Sequence, residues 1–113
     1  MEYYHNTYKS ELIKEPVSKL IWRLEHNAGM PQIYVISLAS NCVDLFDIVH
    51  STLYMQENYK KDATMIIGFA KGYEDAQYLV QFIIEDILSK TNDPARIRSY
   101  FEQQQVTKVE ETC

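Results

Sequence analysis

The chain has 113 residues, 46% of them hydrophobic and 24% charged, which suits one domain with its own core and is too short for two ordinary ones. Eleven Lys and Arg against sixteen Asp and Glu leave a formal charge of −5. No basic stripe of the kind that neutralises phosphates is present, so no nucleic-acid partner is expected.

Met1 to His5 is polar and lacks a basic segment followed by an apolar one, so it is not read as a secretory leader. The longest nearly apolar run, Leu79 to Leu88, is broken by Gln81, Glu85 and Asp86 and cannot span a bilayer. Cys42 and Cys113 stand far apart, which reads as two free thiols in a reducing cytoplasm, not as a disulfide framework.

Residues 2–13, EYYHNTYKSELI, alternate loosely and hold three tyrosines; they read as an arm or an edge strand. Pro16 suits a first helical turn, and Val17, Leu20, Ile21, Leu24 and Ala28 follow on one apolar face. Gly29 is expected to supply the left-handed stop and Pro31 to prevent continuation, giving a helix over 15–28. QIYVISLA, 32–39, reads as a strand buried on both faces.

Ser40 and Asn41 are N-cap residues, and Asp44 imitates a capping box. A helix over 42–54 is therefore expected, with Val43, Leu45, Phe46, Val49 and Leu53 on one face, although β-branched residues weaken it. QENYKKDA is a polar connection, and TMIIGFA, 64–70, is the second strand. Its Gly68 marks a bulge or a close backbone approach. From Tyr73 to Lys90 a broad apolar face predicts a central helix. Asp93 and Pro94 start a shorter one that carries Ile97, Tyr100 and Phe101. Residues 106–113 have no pattern and are expected to fray.

The order helix, strand, helix, strand, helix, helix in a single domain over 1–113 predicts an α/β fold, with α+β as the alternative. The expected sheet has two or three strands, its two clear strands parallel through a right-handed crossover. An isolated pair of strands is marginal in water, so the N-terminal arm or a second protomer must complete it. A homo-oligomer, most simply a dimer, follows.

If the two strands were parallel, the turns at 39–42 and 70–73 would meet at one sheet edge. There Ser40, Asn41, Cys42, Lys71, Gly72 and Tyr73 would offer donors and a cation to an anion. No glycine-rich phosphate motif is present, and Glu74 and Asp75 already complement the helix end, so a plain structural turn is the preferred reading. Cys42 at a helix start would carry a lowered pKa, but His5, His26 and His50 stand in no motif that would make one of them its base. The histidines also lack metal-ligand spacing, and Glu85 and Asp86, being adjacent, diverge round the helix. No metal or cofactor is expected, and no catalytic residue is assigned.

Nine tyrosines and one tryptophan suit protein–protein surfaces. Trp22, Tyr34, Tyr54 and Tyr59 are the candidate interface residues. The segment MIIGFAKGYEDAQYLVQFIIEDI, followed by DPARIRSYF, resembles small uncharacterised bacterial α/β proteins of about this length. That resemblance implies a bacterial cytoplasmic origin and brings no catalytic residues with it. The sequence thus reads as a small cytoplasmic domain acting through self-association or another protein partner. The rival is a small-ligand module or small enzyme built on the turns at 39–42 and 70–73.

Overall fold

The computed structural model describes residues 2–39, 45–61, 64–93 and 97–102. In chain order these form β1 (Tyr3–Lys9), α1 (Val17–Glu25), β2 (Ile33–Leu38), β3 (Phe46–His50), a 3-10 turn (Ser51–Met55), α2 (Glu57–Lys61), β4 (Ile66–Lys71), α3 (Tyr73–Thr91) and α4 (Ile97–Glu102).

Four strands make one mixed sheet in the order β1-β4-β2-β3. β1 runs parallel to β4, whereas β2 is antiparallel to both β4 and β3. This overturns the expected sheet of two or three strands with a parallel central pair. The fourth strand comes from the segment expected to be a helix over 42–54. Ile48 and Val49 are β-branched, and Phe46 to His50 pair residue for residue with Leu38 to Tyr34. A full antiparallel ladder beside a buried strand outweighs a loose helical periodicity. Asn41 and Asp44, the supposed capping box, lie outside the described residues.

Alternation along β2 divides the core. Tyr34, Ile36 and Leu38 face a cluster with Ile67, Ala70, Ala76, Ile83 and Ile87, closed by Ile97 and Phe101 from α4. Ile33 and Val35 face a second cluster with Leu20 and Leu24 from α1, Tyr54 from the 3-10 turn and Phe69. Helices therefore cover both faces, which is why β2 and β4 are apolar on both sides.

The end of α1 differs from expectation. The left-handed residue is Asn27, at φ 56°, not Gly29. Ala28 N–H donates to Arg23 O at 2.9 Å and Asn27 N–H to Leu24 O at 3.5 Å, a Schellman closure. Gly68 has both properties expected of it. Ile36 pairs with Gly68 but Ser37 with Ile66, leaving Ile67 as the extra residue of a bulge. A Cβ on Gly68 would lie 3.1 Å from Tyr8 O and 3.2 Å from Tyr8 Cβ.

The antiparallel pairing matters most for function. Ile33 sits opposite Lys71 and Ser37 opposite Ile66. The end of β2 and the end of β4 are therefore separated by the length of a six-residue strand, about 17–20 Å. Leu38 and Lys71, the strand ends expected to share one edge, therefore lie at opposite ends of the ladder.

Candidate functional site

Ser40, Asn41 and Cys42 lie outside the described residues; Lys71, Gly72 and Tyr73 form the link from β4 to α3. Gly72, at φ 96°, takes a backbone conformation that side chains disfavour, so glycine is required there. Its N–H donates to Gln32 O at 2.9 Å, and Lys71 N–H donates to Asp75 Oδ2 at 2.9 Å. These two amides are thus satisfied from within the protein. The stretch works as a tight strand-to-helix turn that ties β4 to the start of β2.

Around this turn the rings are ordered. Tyr73 meets Tyr34 edge-on at 5.8 Å, and Tyr34 meets His50 at 5.0 Å. His50 is held by Thr52 N–H donating to its Nδ1 at 3.2 Å and by its own Nε2 donating to Pro31 O at 2.7 Å. The backbone donor at Nδ1 fixes the Nε2–H tautomer.

Of the four interface candidates, only Trp22 is open to solvent, 57% exposed, with its indole stacked on His26 at 4.1 Å. Tyr34 is half-buried. Tyr54 is 1% exposed, hydrogen-bonded to Ser37 and Tyr59 with its ring against Tyr59 at 5.0 Å, and belongs to the core. Burial above all pushes the Tyr54 hydroxyl up from its ordinary range; the Ser37 hydrogen bond opposes it, and the Tyr59 phenol and the Asp47 charge add to it. Tyr59 packs against the same cluster and is raised by burial and by the Asp47 charge.

The β1 tyrosines are pins. Tyr3 donates to Glu25 Oε2, Tyr4 and Tyr100 share a hydroxyl contact at 3.3 Å, and Tyr8 donates to Asp86 Oδ2 at 2.7 Å. Burial above all, then these same partners, raise all three phenols. They lock the edge strand onto α1, α4 and α3, which accounts for much of the tyrosine excess.

Three openings gather round the loop between β1 and α1, and Leu12 borders each of them. The first, about 360 Å³, has an apolar floor of Ile13, Leu20, Met30 and Ile33 under Lys14, Arg23 and Lys71. The second, about 490 Å³, runs between that loop and α3, bordered by Leu12, Tyr78, Leu79 and Phe82. The third, about 560 Å³, is the shallow surface beside Lys71, Gly72 and Tyr73.

Leu12, Tyr78 and Phe82 are 57%, 69% and 56% exposed. Sequence reasoning missed them, although a signal was present. Tyr78 and Phe82 are four residues apart and lie about 200° and 240° round the helix from Ala76, away from the stripe that fills the core. Of these two large rings on the outward face of an amphipathic helix, Phe82 meets Tyr8 edge-on at 6.3 Å, yet both stay more than half exposed.

Among the described residues no group of three or more His, Cys, Asp or Glu is placed to hold a metal ion. No helix among them is long and apolar enough to cross a membrane. No family model, curated protein or solved structure matches the chain.

Proposed function

We infer that the protein works by association, docking a second copy of itself on the groove between the β1–α1 loop and α3. The observation that carries this reading is the exposure of Leu12, Tyr78 and Phe82 round one groove of about 490 Å³. Exposed apolar groups gathered in one place mark interaction surfaces, whereas isolated ones need no explanation. Tyr and Phe are also the ring types enriched at interfaces.

Charge supports a copy of the same chain as the occupant. The groove rim carries Lys9 together with Glu11 and Asp75. In a two-fold contact each surface meets itself reversed, so the cation of one protomer can oppose the carboxylates of the other. A four-stranded sheet needs no second protomer to complete it, so the exposed rings are what favour a dimer. Two widely separated cysteines support the cytoplasm as the working compartment.

Phe82→Ser removes a ring that lies mostly in solvent, so it leaves the fold intact while weakening the dimer. Sedimentation at micromolar concentration should show the wild type as a dimer and the variant shifted to monomer. A variant that sediments like the wild type would remove this groove from the interface.

A further inference from the structure

The opening next to the proposed interface has a different character. Its floor is apolar: Ile13, Leu20, Met30 and Ile33 are buried side chains of one core cluster. Its wall is cationic. Lys14, Arg23 and Lys71 come from the β1–α1 loop, the last turn of α1 and the end of β4. Glu15 is the one carboxylate among the lining residues, and it approaches Arg23 Nη1 only to 4.0 Å. On a chain of formal charge −5, three cations against one acid over an apolar floor is a local reversal of sign.

We propose that this cleft binds a small organic anion, its apolar body on the Ile13–Leu20–Met30–Ile33 floor and its carboxylate or phosphate head between Arg23 and Lys71. Size, lining and charge argue together. A volume of about 360 Å³ falls at the small end of ligand pockets, about 300–1,000 Å³, which are mostly apolar with a few polar groups that fix orientation. The Arg23 guanidinium presents a planar fork suited to a two-oxygen head, and Lys71 adds a point charge. Glu15, already at the limit of contact with Arg23, is the group an incoming anion displaces.

This site is not the anion crevice that the sequence offered as the rival to a plain structural turn. The Lys71 and Gly72 amides are satisfied by Asp75 and Gln32, so only the Lys71 side chain takes part, and the cationic partners come from elements distant in sequence.

Titration of the isotopically labelled full chain with hexanoate and with hexyl phosphate, followed by backbone amide signals, tests the proposal. Saturable shifts centred on Ile13, Leu20, Met30 and Ile33 are expected, with affinity in the low-millimolar range. The tighter of the two probes identifies the head group. Hexanol and inorganic phosphate, which carry only one half of the chemistry, should bind at least tenfold more weakly. Arg23→Gln with Lys71→Gln should weaken the anions at least tenfold and leave hexanol unchanged.

Absence of saturable shifts would overturn the proposal, as would equal binding of hexanol or of inorganic phosphate. The comparison among the four probes needs no variant. Phe82→Ser, which tests the dimer, should leave hexanoate binding intact, so the two readings fail separately.

Discussion

At Tyr8 three constraints meet. The hydroxyl donates to Asp86, the ring meets Phe82 edge-on at 6.3 Å, and the carbonyl oxygen stands where a side chain on Gly68 would begin. Gly68→Ala must push backbone away from backbone, since the nearest atom is a main-chain oxygen. A loss of about 1–3 kcal/mol in denaturant unfolding is expected. Asp86 has its carboxyl held below the ordinary range, first by the Tyr8 hydroxyl and then by Lys90, with burial opposing. A folded-state pKa below the unfolded one gives stability present above pH about 4 and lost as pH falls through the folded value. Tyr8→Phe should raise the Asp86 titration toward the ordinary unfolded value, read from its side-chain carbonyl signal. An unchanged titration would remove Tyr8 as the cause. The raised phenols of Tyr3, Tyr4, Tyr8 and Tyr54 act at the other end. Their stabilisation is full below about pH 10 and is lost as pH rises toward their folded values. Tyrosinate absorbance from these residues should appear together with loss of circular dichroism; ionisation in an intact fold would contradict this.

Among the elements, α2 is short but carries a specific duty. Lys60 extends its ammonium to the end of α1, donating to Leu24 O at 3.2 Å, Glu25 O at 3.3 Å and Asn27 Oδ1 at 2.8 Å. It thereby satisfies terminal carbonyls and complements the negative helix end. Lys60→Met should cost about 1 kcal/mol in thermal or denaturant unfolding, and a neutral result would make the contact incidental. This contact also marks how far sequence reading reached. Helices α1 and α3 were legible because their apolar stripes are local facts, and so were β2, β4 and the role of Gly68. β3 was not legible, because Val49 and Ile48 owe their strand conformation to β2, a partner that no local window contains. The direction of β2 against β4 was hidden for the same reason. Only pairing across the chain sets it, and the antiparallel direction removes the rival crevice, which required parallel strands. At the candidate sites, Lys71 was visible as a charge beside a turn. Its company with Lys14 and Arg23 exists only after α1 and the β1–α1 loop fold against the end of β4.

For the molecule as a whole, the balance lies between an apolar surface that favours contact and a charge that opposes it. At a formal charge of −5 two copies repel one another, and salt screens that repulsion within about 10 Å at 0.1 M ionic strength. Apolar burial is largely indifferent to this screening, so raising ionic strength from low salt should strengthen the proposed dimer. Weakening would show that the Lys9, Glu11 and Asp75 rim dominates the contact. The most direct test of the central claim is the mass in solution by light scattering at micromolar concentration. A mass near twice the chain's 13.3 kDa, falling to the monomer in Phe82→Ser, is predicted. A wild-type mass of 13.3 kDa with a cooperative melt would contradict it.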